Sequence, residues 1–199
     1  YLDWRGDLTF REAPFNEVDN LILAQLVYVE FAGIVPAPGE EGTITVKEAC
    51  ELFFAAHDRK EIMERVSMTK TAAFVLEKMA QTERFCNAQL FGYINDISKE
   101  EQSQFSVVCV RLDDKSIYVS FSGTDNTIVG WRENFNMGYL SETPGQLKAV
   151  DYLNHMVKED WKKIRVGGHS KGGNDTQLAA LVFADKINAA YNFDGQGFP

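Results

Sequence analysis

The stretch Gly168-His169-Ser170-Lys171-Gly172 decides the fold of this chain, because it matches the pattern G-x-S-x-G of a nucleophile elbow. Residues 163–167, Lys-Ile-Arg-Val-Gly, have the composition of a short strand, and apolar residues recur at helical spacing over 178–182. Strand, sharp turn and helix are the context in which the serine stands above a sheet edge. The glycines two residues before and after Ser170 leave room for the turn, and Gly173 lets the helix approach the strand. The alternative is a glycine-rich turn with an incidental serine.

The 199 residues are expected to form a single domain, with a helical amino-terminal segment over 1–85 and a sheet core over 86–199. The patterns predict helices from Asn16 or Asp19 to Gly33 and over 45–56, 69–81, 130–139 and 144–160, and strands over 88–97, 104–112, 116–122, 163–167 and 187–193. Residues 58–61 are expected to be a solvated loop or a helix end, and residues 113–115 the turn of a hairpin.

The order of these elements predicts the fold class. Strands that first form hairpins and then alternate with helices indicate an α/β fold. Its sheet should be mixed, antiparallel at first and parallel through the elbow, with helices on both faces. In strand 116–122, Ile117, Val119 and Phe121 should face one side and Tyr118 and Ser120 the other. The apolar helices of residues 16–82 could pack on the sheet or cover a pocket as a lid, and we favour packing.

Composition limits the possible partners. Twenty Lys and Arg against 29 Asp and Glu give a net charge of −9, which disfavours a nucleic-acid partner. No apolar run approaches the length of a membrane span, so we expect no integral membrane segment. Cys50, Cys86 and Cys109 lack metal-ligand spacing and are typical of buried thiols in a reducing compartment, which favours the cytoplasm. The sequence begins at Tyr1, so an export signal upstream would not be visible. We expect neither a metal nor an organic cofactor.

The elbow predicts acyl-transfer chemistry. A serine hydroxyl becomes a nucleophile when a base takes its proton and donors stabilise the oxyanion. One donor is the backbone N–H after the serine, here that of Lys171. A second comes from a loop at the end of an earlier strand, for which Thr124 is the candidate. Thr124 could equally be an ordinary turn residue.

Two segments together carry a family resemblance. Val119-Ser120-Phe121-Ser122-Gly123-Thr124, Trp131 with Asn134-Phe135, and Gly168 to Gly173 resemble the class 3 (triacylglycerol) lipases. Asn192-Phe193-Asp194-Gly195-Gln196-Gly197 looks like that family's next strand. Asp3-Trp4-Arg5-Gly6-Asp7 and residues 19–26 are similar to a bacterial lipase-like family of unknown function. The resemblance implies an α/β-hydrolase fold, with Ser170 as nucleophile and Thr124 and Lys171 at the oxyanion hole.

Two positions depart from the lipase pattern. Ser122 stands where the lipases carry an arginine, and Lys171 stands where they usually carry an apolar residue. The first change removes a structural cation. The second places an ammonium near the site, which could bind an acidic substrate or simply reach solvent.

The remainder of a catalytic triad is not evident. In this fold the acid and the histidine follow the serine, yet His57, His155 and His169 all precede or adjoin Ser170. We expect all three to be structural, solvated or capping residues. Asp194 could be the acid, although a turn-forming role before Gly195 is favoured. We therefore hypothesise that residues 1–199 are the amino-terminal part of a longer hydrolase, whose carboxy-terminal part carries the acid and the histidine.

The first functional hypothesis is a serine hydrolase acting on small-molecule or lipid-like esters. The alternatives are a non-catalytic ligand-binding module on the same fold, or a peptidase, thioesterase or carbohydrate esterase. Fold alone does not distinguish them.

Overall fold

A computed structural model describes residues 1–67 and 69–198, which form a six-stranded sheet with strands in sequence order. The strands are β1 (Ile44–Thr45), β2 (Gln89–Ser98), β3 (Ser103–Arg111), β4 (Ile117–Phe121), β5 (Ile164–His169) and β6 (Ile187–Phe193). Strands β1 to β4 pair antiparallel, whereas β4, β5 and β6 pair parallel. This arrangement confirms the predicted mixed sheet and the α/β class, and it adds the short strand β1, which the sequence analysis did not predict.

The helices lie before, between and after these strands. They are α1 (Leu2–Arg5), α2 (Glu17–Leu26), α3 (Val46–Ala56), α4 (Arg59–Glu64), α5 (Ala72–Ala80), α6 (Ile128–Asn136), α7 (Pro144–Met156) and α8 (Lys171–Val182). Helices α2, α3 and α7 begin with capping boxes, in which Asn16, Thr45 and Thr143 accept from backbone N–H groups of the first turn.

The predicted end of the first long helix was wrong. Helix α2 ends at Leu26 rather than at Gly33, because the N–H groups of Tyr28 and Val29 donate to carbonyls three residues earlier and the chain turns there. The apolar residues that follow stay in the core. Residues 58–61, expected to be a solvated loop or a helix end, form the start of α4, where the Asp58 side chain caps the helix by accepting from two backbone N–H groups.

The sheet separates two apolar cores, so helices cover both of its faces. One core joins Tyr118 of β4 to side chains of α2, α3 and α5. The other joins Ile117, Val119 and Phe121 to side chains of α7 and α8. The predicted alternation along β4 is therefore confirmed, with both of its faces buried. The amino-terminal helices pack on the sheet, as favoured over a lid.

Several negative findings apply to residues 1–67 and 69–198. No helix there is long and apolar enough to cross a membrane. In the same residues no group of three or more His, Cys, Asp and Glu side chains could hold a metal ion. All three cysteines are free, and Cys86 is half-buried rather than buried as expected.

Candidate functional site

Ser170 occupies a strained turn between the end of β5 and the start of α8. Its backbone has φ 54° and ψ −124°, a combination that residues with a side chain rarely adopt. Such conformations cost about 1–3 kcal/mol and persist where the surroundings impose them. Here the Ser170 N–H donates to the carbonyl of Phe193, at 2.8 Å, and so ties the turn to the end of β6. The side chain is partly exposed. The predicted strand–turn–helix context of the serine is therefore confirmed.

The glycines around Ser170 are required by close backbone contacts. A Cβ on Gly168 would meet the backbone of Gly172, and a Cβ on Gly172 would meet the carbonyl of Phe121, both inside 3.0 Å. A Cβ on Gly173 would clash with the Asn192 side chain of β6. The elbow therefore closes only because these positions lack side chains, as predicted.

Gly172→Ala should lower the free energy of unfolding by about 3 kcal/mol, because its new methyl group meets backbone that cannot move aside. Urea denaturation monitored by circular dichroism measures this loss. Gly138→Ala is the matched control, since its Cβ would meet one atom, at 3.4 Å, and should change stability by less than about 1 kcal/mol. Equal losses in the two variants would show that the elbow tolerates a side chain.

The loop after β4 approaches Ser170 directly. A Cβ on Gly123 would lie 3.3 Å from the Cβ of Ser170 and 2.5 Å from the carbonyl oxygen of His169. The Gly123 N–H donates to the Tyr28 hydroxyl, at 2.9 Å, which holds this loop against the chain that follows α2. The structure thus brings the loop that carries Thr124 to the serine, as the sequence predicted.

Thr124 carries the one hydroxyl of this loop that has no hydrogen-bond partner among the described residues. Its Oγ1 is buried, and no residue in the described part of the chain hydrogen-bonds to it. Buried hydroxyls are normally hydrogen-bonded, and those of Ser106, Ser120 and Thr176 are likewise unpaired among the described residues. That of Thr124 differs from them in following Gly123, which approaches the Ser170 side chain. A ligand oxygen bound between Thr124 and Ser170 would provide a partner for it.

The Lys171 side chain is fully buried, so both expected roles for its ammonium are wrong. Nζ donates to the carbonyl of Gln104 at 2.6 Å and lies 3.6 Å from both Glu133 and Asp175. The first turn of α8 directs this side chain beneath the elbow, between β3 and α6, where two carboxylates compensate its charge. The ammonium therefore neither reaches solvent nor faces a substrate. The backbone N–H of Lys171 has no acceptor among the residues described and stays a candidate donor.

Glu133 of α6 is a site residue that the sequence analysis missed. Its carboxylate is fully buried and accepts from the backbone N–H of Gln104, at 2.9 Å, and of Gly145, at 2.6 Å. It thereby joins α6, β3 and the start of α7 around the Lys171 ammonium. The spacing of Lys171 and Asp175, one helical turn apart, was a visible signal of an ion pair, whereas Glu133 had none.

Asp175 is the second carboxylate facing Lys171. Burial raises its pKa from 3.8 to about 6; the Lys171 ammonium lowers this pKa and the Glu133 carboxylate raises it. At 3.6 Å it forms an ion pair with Lys171 without a hydrogen bond. Because the pKa is raised in the folded state, the stability that this group contributes is present below pH 3.8 and is lost as the pH rises through about 6.

Asp175→Asn should therefore stabilise the protein at alkaline pH more than at acid pH. The gain in free energy of unfolding should grow by about 2 kcal/mol between pH 4 and pH 8, since one pKa unit corresponds to about 1.4 kcal/mol. Urea denaturation of both proteins at the two pH values measures it. A gain that does not change with pH would mean that Asp175 does not titrate in this range.

None of the three histidines contacts the serine hydroxyl by a hydrogen bond within residues 1–67 and 69–198. His57 stacks on Phe53, and its Nδ1 lies 2.9 Å from that residue's carbonyl oxygen. In α7, Nδ1 of His155 lies 2.8 Å from a carbonyl oxygen of its own helix. His169 is exposed at the end of β5. These positions agree with the expected structural or solvated roles.

Asp194 lies at the same sheet edge as Ser170, directly after β6. It is exposed, and its φ of 52° is a conformation that Asp tolerates better than most residues. This geometry fits the favoured turn-forming role. The residue before it, Phe193, accepts from the Ser170 N–H, so the structure brings Asp194 to the end of the sheet at which Ser170 lies.

Helix α6 presents apolar residues to solvent close to the loop of Thr124. Ile128, Trp131 and Phe135 are 86%, 48% and 66% exposed. Asn134, between them, accepts from the side chain of Gln196, at 2.8 Å, and so connects α6 to the segment that follows β6. This side of the site is accordingly apolar.

Comparison with known proteins gave one match. Residues 79–199, more than half of the chain, match the model of a protein family described as Mbeg1-like. This span contains Thr124, Ser170 and Lys171, with strands β2 to β6. No curated protein and no solved structure matches the chain.

Proposed function

The chain belongs to the Mbeg1-like family, and we propose that it is a serine hydrolase of α/β-hydrolase type that cleaves carboxylic esters. The observation that carries this proposal is the conformation of Ser170. Its strained backbone serves no packing purpose that glycine would not serve better, yet it presents a hydroxyl next to the backbone N–H of Lys171 and close to the loop of Thr124, whose buried hydroxyl has no hydrogen-bond partner among the described residues. Strain retained at such a position is characteristic of functional sites.

In the proposed reaction, Ser170 Oγ attacks the ester carbonyl carbon while a base takes its proton. The carbonyl oxygen becomes an oxyanion, which accepts from the Lys171 N–H and from the N–H and hydroxyl of Thr124. Loss of one such donor typically costs about 10²–10³ in rate. The leaving alcohol takes the proton from the base, and an acyl-enzyme remains on Ser170. Water, activated by the same base, then releases the acid.

The proposed reaction also requires a general base that takes the proton of Ser170. The resemblance to class 3 lipases implies a histidine in this role, and His57 and His155 are both engaged with carbonyl groups of their own segments. The variants described below are compared with wild type in the product of the whole gene.

An apolar acyl group is the substrate feature that the surroundings favour. The exposed side chains of Ile128, Trp131 and Phe135 lie on the helix that begins four residues after Thr124. An acyl chain leaving the oxyanion position along this helix would cover part of that apolar surface. The three free cysteines agree with a reducing compartment, and we propose the cytoplasm.

Hydrolysis of p-nitrophenyl esters from acetate to palmitate tests the proposal. We expect turnover above background, with kcat/KM increasing with acyl length, and no turnover by Ser170→Ala beyond the buffer rate. Corresponding thioesters and anilides, run in parallel, would reveal a thioesterase or a peptidase. Equal rates for the two proteins with every substrate would contradict a hydrolase.

A non-catalytic ligand-binding module is the second candidate. The observation that favours it is the lack of a histidine hydrogen-bonded to Ser170 in the described residues. In that case a fluorescent fatty-acid probe should bind wild type and Ser170→Ala with the same Kd, and no ester should be turned over.

A further inference from the structure

All four polar groups of Gln104, a residue of β3, form hydrogen bonds behind the elbow. It is 2% exposed. Its backbone N–H donates to Glu133, at 2.9 Å, and its carbonyl accepts from the Lys171 ammonium, at 2.6 Å. Its side chain donates to Ser122 Oγ, at 3.1 Å, and accepts from the Asp125 N–H, at 3.4 Å.

Three of these partners, Lys171, Ser122 and Asp125, lie on the two segments that carry the oxyanion donors. Lys171 follows the nucleophile, and Ser122 and Asp125 are close neighbours of Thr124 on either side. We propose that Gln104 is a positioning residue that sets the spacing between the Thr124 and Lys171 donors. This inference rests on the proposed function, because the spacing matters only if an oxyanion forms there.

The loop of Thr124 needs such support because it has no regular structure between β4 and α6. Tyr28 holds it at Gly123, and the Gln104 side chain holds it on both sides of Thr124. Gln104 differs from Tyr28 in also binding the elbow helix through Lys171. A displacement of about 1 Å at such a donor can cost up to about 100-fold in rate, so a side chain that fixes the loop to the elbow affects catalysis without touching substrate.

Gln104→Met tests this role, since methionine fills similar volume, removes both side-chain bonds and leaves the backbone bonds to Glu133 and Lys171 in place. The matched control is Gln89→Met on the neighbouring strand β2, which removes a side-chain bond to Arg111. Ser122→Ala removes the hydrogen bond between the Gln104 side chain and the loop hydroxyl, and leaves the bond to the Asp125 N–H. All variants are made in the full-length gene product.

Two measurements are made on each variant. The first is phosphonylation of Ser170 by a fluorophosphonate, resolved into a limiting rate and an apparent affinity. Gln104→Met should lower the limiting rate by about 10- to 100-fold with unchanged affinity. Ser122→Ala should lower it less, and the double variant should equal Gln104→Met alone because the two changes remove a shared bond. The second is hydrogen exchange, which should accelerate in residues 122–127 for Gln104→Met and stay unchanged for Gln89→Met.

The outcomes separate this inference from the proposed function. A wild-type serine that reacts, together with a Gln104→Met rate equal to that of Gln89→Met, would overturn the positioning role alone. Faster exchange in residues 122–127 without a slower reaction would also overturn it, since Gln104 would then serve stability only. A wild-type serine that does not react would overturn the proposed function, and the positioning role with it.

Discussion

Ser170→Ala is expected to abolish ester hydrolysis, with a loss of at least about 10³-fold in kcat, while the protein keeps its fold. The alanine retains every backbone contact of the elbow, including the N–H bond to Phe193. The hydroxyl that it lacks forms no hydrogen bond with the described residues, so the free energy of unfolding should change by less than about 0.5 kcal/mol. Steady-state assays and urea denaturation on the same preparations measure both quantities.

Ser170→Gly provides a sharper form of the same prediction. Glycine adopts φ 54° and ψ −124° without the steric cost that serine bears. This variant should be inactive and yet more stable than wild type, by about 1 kcal/mol. A glycine variant that is less stable than wild type would show that the Ser170 side chain supports the structure, and would contradict a conformation retained for activity.

Lys171→Met has the second-largest expected effect, a loss of about 3–5 kcal/mol in the free energy of unfolding. The substitution removes the ammonium that compensates Glu133 and Asp175 and leaves the Gln104 carbonyl without its donor. The side chains are fully buried, so water cannot replace the lost partner. Urea denaturation at pH 8, above the pKa of about 6 of Asp175, gives the largest difference.

Lys148→Met is the control for this measurement. Lys148 also faces two carboxylates, those of Asp96 and Glu101, but its side chain is partly exposed and solvent can take over the lost contacts. We expect a loss of no more than about 1 kcal/mol. Equal destabilisation of the two lysine variants would contradict the claim that burial makes the Lys171 ammonium important for stability.

The elbow could be predicted from the sequence because its requirements are local. Three glycines and a serine within six residues determine whether the turn can close, and the neighbouring strand and helix have recognisable patterns. The loop of Thr124 was located for the same reason, since it ends a strand of clear alternation. The mixed sheet followed from the order of these elements.

Contacts between segments distant in the chain could not be predicted. The role of Lys171 depends on Glu133 from α6 and on Gln104 from β3, and neither has a sequence signal that points to a lysine elsewhere. The sequence therefore predicted the Lys171 ammonium within the site, whereas it lies beneath it. The end of α2 was missed because apolar residues continue past Leu26 into irregular structure that is equally buried.

The two departures from the lipase pattern meet at one residue. Ser122, which replaces an arginine in that pattern, bonds to the side chain of Gln104, and Lys171, which replaces an apolar residue, bonds to its carbonyl.

The most direct test of Ser170 as a nucleophile is the intact mass of the whole gene product before and after treatment with a fluorophosphonate, beside that of Ser170→Ala. We predict one covalent adduct, which peptide mapping assigns to Ser170 and which is absent from the alanine variant. No adduct on the wild-type protein, or an adduct that persists in Ser170→Ala, would contradict an activated serine at this elbow.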